Sequence, residues 1–272
     1  MNTERTYTII IVTRNNAAGL ERTLRSIRSL QYAQKETVVI DGASNDHTKD
    51  VVSNYKDIIT TFVSEKDTGI YNAMNKGIKY VKGDYVVFMN AGDCFADEQV
   101  LSTVSAYDGD IILGSESYGG KLRLVKKEMT LYDLLSVGIN HQSVYYRRDV
   151  LQKYGFDESY RLTADLKSVV EPLVKDRIKL SCTTDLLAIC EGGGTSEVRW
   201  RDTLVENNRM VDELIDPFYK DDYLRFARIN NGMLQHFIVL SHFRSLFPLL
   251  KLLSKLARFI NKNFKHIPLN DH

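Results

Sequence analysis

The stretch YVVFMNAGDCF (85–95) ends an apolar run on Asn-Ala-Gly-Asp and leaves one carboxylate, Asp93, just past it. Three further segments repeat that arrangement. VTRNN follows YTIIIV (7–12), IDGASND closes ETVVID (36–41), and SEKDTGIYNAMNKG follows IITTFV (58–63). Singly, Asp-Gly and Asn-Ala-Gly are ordinary turn chemistry. If the apolar runs are parallel strands of one sheet, their ends bring Thr13, Asn15, Asp41, Ser44, Asp67 and Asp93 to a common rim, where open α/β sheets bind ligands. Carboxylates and amides there suit the base and ribose of a nucleotide, and its diphosphate needs a cation. Asp93 is placed to ligate Mg2+ or Mn2+, hard cations that keep waters and bridge to phosphates through one or two carboxylates. The competing structural reading of Asp93 is a cap for the helix expected over DEQVLSTVSAY.

The elements that would position these groups are legible in the first hundred residues. The run at 7–12 and its counterparts at 36–41, 58–63 and 85–89 are continuous and rich in β-branched residues, as strands buried on both faces are. Between them, LERTLRSIRSL spaces Leu20, Leu24, Ile27 and Leu30 for a helix, and TGIYNAMNKGIKYV does so with Ile70, Met74, Ile78 and Val81. Asn45 or Asp46 is the expected cap of the helix between 45 and 54. Strands alternating with helices imply βαβ units and a parallel sheet. Beyond residue 100 the pattern loosens, with strands expected at 110–115, 143–148 and 185–191 and helices over TLYDLLSVG and TADLKSVVEPLV.

Composition bounds the remaining classes. The chain has 272 residues, 43% hydrophobic, with a net charge of +1, ample for one large α/β domain plus an appendage and without a global basic signal for nucleic acid. Its three cysteines, Cys94, Cys182 and Cys190, form neither a zinc motif nor a disulfide framework, which fits a reducing cytoplasmic setting. The opening MNTERTY is unlike a signal peptide, and no apolar run approaches the roughly 18 residues of a membrane span. The segment 234–266 combines Leu, Phe and Ile with charges that are all basic. It reads as an amphipathic helix at an anionic membrane surface, or else as a helix packed on the domain or a partner.

In order along the chain, TIIIVTRNNAAGLERTLRSI, VVIDGASNDHT, SEKDTGIYNAMNKGI and GDYVVFMNAGD resemble the successive motifs of family 2 glycosyltransferases of the GT-A fold, nearest to bacterial exopolysaccharide transferases of the colanic-acid type. NHQSVYYRR and GFDESYRLTAD resemble that family's acceptor half, so the likeness covers roughly residues 5–195. The resemblance implies an α/β fold with a mostly parallel central sheet flanked by helices. A catalytic domain at 1–197 would divide at 100 into nucleotide-sugar and acceptor halves, with a helical extension over 198–272.

The same resemblance implies roles. Asp41, Thr13, Asn15 and Ser44 would line the nucleotide pocket, Asp67 would contact the base side, and Asn72, Lys76 and Asn90 would contact donor. His141 is assigned to donor, with an acceptor contact or a core hydrogen bond as alternatives. Asn90 and Asp93 stand where the family carries an Asp-x-Asp metal motif, and Asn90 leaves the site one carboxylate. Asp165 matches the general base, which assists loss of the proton from the attacking hydroxyl; otherwise it is a helix-start Asp stabilised by the dipole. GGGTSE (192–197) resembles a loop that folds over the donor.

Other nucleotide enzymes fit less well. Gly-x-Gly-x-x-Gly, a P-loop and Gly-x-Ser-x-Gly are all missing from the sequence. The expected function is metal-dependent transfer of a sugar, with inversion, from a nucleotide-diphosphate donor (a UDP-sugar) to a saccharide or lipid-linked acceptor. The setting would be surface polysaccharide synthesis at the cytoplasmic face of a bacterial membrane. The alternative is a catalytically silent relative that binds nucleotide or scaffolds a membrane assembly.

Overall fold

The computed structural model describes residues 4–192, 199–217 and 220. The loop expected at 192–197 and the basic segment at 234–266 therefore fall outside the described residues, apart from Gly192. Four strands come first: β1 (Tyr7–Thr13), β2 (Lys35–Asp41), β3 (Thr61–Ser64) and β4 (Tyr85–Asn90). They pair in parallel in the order β3-β2-β1-β4. The crossovers between them contain α1 (Ala17–Ser29), α2 (Thr48–Asn54) and α3 (Ile70–Ile78). Helix α1 turns Leu20, Leu24 and Ile27 onto Ile9, Ile11 and Val39, and all six are solvent-free. Gly77 in α3 lies so close to the sheet that a Cβ would stand 2.6 Å from Ile10 Cγ2.

Two expected boundaries move. The strand anticipated at 58–63 begins only at Thr61, because the amides of Ile58 and Ile59 both donate to the Tyr55 carbonyl in a turn after α2. The N-cap of α2 is His47, one residue past the expected Asn45 or Asp46, and its side chain makes no cap bond; Asp46 Oδ1 instead accepts from the Thr48 amide and hydroxyl at 3.1 and 2.6 Å.

The second half is a mixed sheet. It contains β5 (Cys94–Phe95), β6 (Ile111–Tyr118), β7 (Lys121–Arg123), β8 (Val144–Arg147) and β9 (Leu180–Cys190), with α4 (Val100–Ser105), α5 (Leu131–Val137), α6 (Arg148–Tyr154) and α7 (Ala164–Lys175). The order continues β4-β8-β6-β9-β5, with β7 on β6. Strand β8 is antiparallel to both β4 and β6, as are β5 to β9 and β7 to β6, so the parallel expectation holds for β1–β4 and for β6 with β9 and the sheet as a whole is mixed. Antiparallel neighbours need no crossover helix on the sheet face, and β8 is entered through a 3-10 turn at His141–Ser143. Helix α8 (Trp200–Leu214) follows, and the compact unit runs to Asp216.

Candidate functional site

Register sets the rim. Thr13 stands opposite Asp41, Asp41 opposite Ser64, and Val12 opposite Asn90. Asp41 is fully buried, and its carboxylate accepts from the Ser44 amide, the Ser44 hydroxyl and the Ser64 hydroxyl (2.6 Å). It therefore organises the loop after β2. Ser44 passes that order on, because its Oγ accepts from the Asn15 amide at 2.7 Å. Asn15 holds a left-handed backbone, φ 49°, and its Oδ1 accepts from the Asn45 amide.

The turn after β4 is built as tightly. Thr23 of α1, fully buried, donates its hydroxyl to the Asp93 carbonyl at 2.7 Å and accepts from the Gly92 amide at 2.9 Å. Gly92 has φ +118°, and a Cβ there would meet the Glu191 carboxylate at 2.5 Å. The Asn-Ala-Gly-Asp sequence thus closes a turn that only glycine fits at its third position. Asp93 does not cap a helix: β5 follows it directly and α4 starts only at Val100.

Thr13, Arg14, Asp67 and Asn90 line a cleft of about 330 Å³, with Ile70, Ala73 and Ala91 as its apolar wall. The Thr13 hydroxyl, on the cleft, is buried with no hydrogen-bond partner among the described residues. Asp67 Oδ1 accepts from the Gly69 amide at 3.1 Å, at the entry to α3. Arg14, exposed on the cleft wall, is a cation the sequence reading did not single out.

Two candidates on α3 face elsewhere. The Asn72 amide donates to Glu158, at 3.1 Å to the nearer oxygen. Lys76 donates to the Lys66 carbonyl at 2.6 Å and pairs with Glu65 at 3.0 Å. Both tie α3 to neighbouring loops.

His141 joins the two halves. Its Nδ1–H donates to Asp165 Oδ2 at 3.2 Å, and its Nε2 lies 3.2 Å from Asn90 Oδ1. The Tyr71 hydroxyl, from α3, donates to the other Asp165 oxygen at 3.1 Å. Burial, and then the Asp165 charge, hold Tyr71 well above the usual phenol range, so it remains a donor. Asp165 sits in the first turn of α7 and borders a second cavity of about 190 Å³, with Arg123, Asn140, Leu162 and Asn207 on its walls. One carboxylate is thereby oriented from two sides and opens onto space of its own. Tyr71 escaped the sequence reading because its ring spacing looks like core.

Asp93 is 6% exposed, and burial raises its pKa above the usual carboxylate range despite the hydrogen bond from Gln142 (2.5 Å) and that from the Glu191 amide (3.1 Å). It has no ion-pair partner among the described residues, and the neighbouring Gln142 Oε1 is buried without a hydrogen-bond partner. A carboxylate and an orphaned amide oxygen are hard donors of the kind Mg2+ and Mn2+ accept. No group of three or more acidic, His or Cys side chains suited to a metal exists among the described residues, so phosphate oxygens or water would supply the rest of a shell. Both Asp93 oxygens already accept hydrogen bonds and neither Asp93 nor Gln142 lines the cleft, so these residues offer a divalent cation at most two hard oxygens.

Comparisons with known proteins bear on the family and the fold. Residues 8–155 match the family described as "Glycosyl transferase family 2". A Mycobacterium tuberculosis protein, "PGL/p-HBAD biosynthesis glycosyltransferase", is 30% identical over 175 residues, which is 58% of this chain and 66% of that relative. The match thus spans just under two thirds of the relative's length. Among solved structures, Staphylococcus aureus TarS 1–349 in complex with UDP-GlcNAc is similar with a TM-score of 0.61 at 15% identity, over 80% of this chain and 70% of that one. The mannosyltransferase PcManGT from Pyrobaculum calidifontis, in complex with GDP-Man and Mn2+, gives a TM-score of 0.63 at 18% identity, over 95% and 81%. At those identities the structural likeness speaks for the fold.

Proposed function

The chain belongs to glycosyl transferase family 2 and has the GT-A fold, and from that premise we propose that it transfers a sugar from a UDP-sugar to a hydroxyl of a saccharide or lipid-linked saccharide, with inversion. The observation that carries the reading is His141, which connects the wall of the cleft at Asn90 to Asp165 on the second cavity. In this reading the cleft with Thr13, Arg14 and Asp67 takes the nucleotide, and the second cavity takes the acceptor. Asp165 accepts the proton of the acceptor hydroxyl as its oxygen attacks the anomeric carbon from the side opposite the departing diphosphate. Tyr71 and the His141 Nδ1–H hold the carboxylate still for that step.

Asp93 and Gln142 Oε1 would hold Mn2+ or Mg2+, which when bound offsets the negative charge on the leaving diphosphate. The UDP-GlcNAc complex of TarS and the GDP-Man and Mn2+ complex of PcManGT support a nucleotide-sugar donor and a divalent cation. The mycobacterial PGL/p-HBAD relative, with a similarity to a Staphylococcus epidermidis poly-beta-1,6-N-acetyl-D-glucosamine synthase, supports a setting in glycolipid or polysaccharide synthesis. No helix among the described residues is long and apolar enough to cross a membrane. We place the protein at the cytoplasmic face of the membrane, held through the basic segment 234–266; liposome binding that survives deletion of that segment would remove this placement.

The experiment is calorimetric titration with UDP, with and without Mn2+, followed by turnover of a UDP-sugar panel. Binding together with sugar release establishes a transferase. Binding without turnover of any donor points to the silent nucleotide-binding alternative, and GDP or TDP binding in place of UDP reassigns the donor.

A further inference from the structure

Helix α8 lies wholly outside the segment matched by the family, yet its inward face is fastened to the segment that carries Asp165. The Glu206 carboxylate accepts the amides of Arg161 (2.7 Å), Leu162 (2.9 Å) and Thr163 (3.0 Å), and also the Thr163 hydroxyl (3.0 Å). These are three consecutive N–H groups that lead into α7, and the last belongs to its N-cap residue. The Thr163 side chain makes no cap bond; its hydroxyl goes to Glu206 instead. The chain entering the helix that bears Asp165 is therefore held by a carboxylate 43 residues further on from Thr163.

The rest of that face reinforces the grip. Glu213 accepts from the Tyr160 hydroxyl at 2.8 Å and from Lys167 at 2.9 Å. The Arg209 guanidinium stacks 3.9 Å over the Tyr160 ring. Positions 206, 209 and 213 share one side of the helix, and Met210 and Val211 are buried beside them. Residues 161–163 have little other means of fixing their amides, since they precede α7 rather than belong to it.

We propose that Glu206 is a positioning residue for Asp165: by binding the amides of 161–163 it sets the start of α7, and hence the orientation of the Asp165 carboxylate toward His141 and Tyr71. Its catalytic meaning rests on the reading of Asp165 as the base, but the linkage itself is geometric. A misplacement of about 1 Å at a reacting group costs on the order of 10²-fold in rate, which is the effect such a tether guards against.

The test reads the His141 ring by NMR in the full chain labelled at histidine, which has six histidines in all, five of them internal controls. His141→Gln assigns the resonance, and Asp165→Asn defines the upfield shift of the Nδ1 proton when its carboxylate acceptor is lost. Glu206→Ala is expected to shift the same proton in the same direction while the other five stay in place. The amides of 161–163 should then exchange about 10-fold faster or more. Glu206→Gln, which keeps an acceptor oxygen, should fall between, and Glu206→Gln added to Asp165→Asn should shift the proton no further. An unmoved His141 resonance in both Glu206 variants overturns the proposal, as does a disturbance spread equally over all six histidines. Full sugar transfer by Asp165→Asn would instead remove the base assignment, an outcome separate from the NMR result.

Discussion

His141 stands 3.2 Å from Asn90 on one side and 3.2 Å from Asp165 on the other, linking residues 51 and 24 positions away in the chain. The oxygen of Asn90 belongs to the end of a parallel strand, and Asp165 to the first turn of a helix in the other half. The two functions proposed for the protein, holding a leaving group and accepting a proton, meet at this one ring.

Asp165→Asn is expected to lower transfer by about 10²- to 10⁴-fold, the usual worth of a general base, with UDP affinity within a factor of about two. His141→Ala should cost less, about 10- to 100-fold, since Tyr71 still holds the other oxygen. Initial rates with calorimetric affinities on the same preparations check both, and an Asp165→Asn protein of full activity would remove the base.

Asp93→Ala should abolish the Mn2+-dependent part of UDP binding and leave any metal-independent part. The matched variant Gln142→Leu removes the orphaned amide oxygen and should weaken the Mn2+ effect without removing it. Titrations at several Mn2+ concentrations separate the two, and a metal response unchanged in Asp93→Ala would refute the assignment.

Asp41→Ala would remove the buried acceptor of the half-buried Ser44 and the exposed Ser64. Those donors can turn to water, so the loss is that of ordinary hydrogen bonds, about 1 kcal/mol; the urea midpoint should fall by that order, and nucleotide affinity should fall with it as the Asn15–Ser44 contact loosens. Stability equal to wild type would show that the loop after β2 is held by other means.

Acid should loosen the attachment of α8. Hydrogen bonds from Arg209, then Lys167 and Tyr160, hold Glu213 at about 2 instead of its usual 4.5. Burial works against Asp157, yet the Lys167 and Ser159 hydrogen bonds still bring it to about 2 from 3.8. A depressed carboxylate contributes stability that is complete above its unfolded value and is lost as pH falls toward its folded one. The urea midpoint should therefore drop between about pH 4.5 and pH 2. Glu213→Gln should be less stable than wild type at neutral pH and lose less on acidification. Parallel acid profiles for the two proteins would overturn this.

Much of this molecule can be read from the chain because burial on both faces writes continuous β-branched runs, as at 7–12 and 36–41, and because polar residues collect where those runs stop. The rim residues Thr13, Asp41 and Asn90 were accessible for that reason. The His141 link was not, because it depends on β8 running antiparallel beside β4, and nothing local in NHQSVYYRR specifies a direction. Asn72 and Lys76 occupy a helix next to the cleft, and helical rotation turns them toward Glu158 and Glu65, which their spacing alone does not reveal. Glu206, Arg209 and Glu213 read as an ordinary solvated helix face, since sequence cannot tell water from backbone amides as the partner of a carboxylate.

The reversal of direction at β8 also orders events in time. Strands β1 to β4 pair with one another within the first ninety residues, through crossovers that are local in sequence. The contact of Tyr71 with Asp165 spans 94 residues and must wait for β8 and α7, and long closures are the slow ones. A refolding chain is thus expected to recover the metal-independent part of its affinity for UDP before it recovers the ability to deprotonate an acceptor. During that interval a donor would sit in its cleft with no base beside it, protected from transfer by the order in which the polypeptide folds.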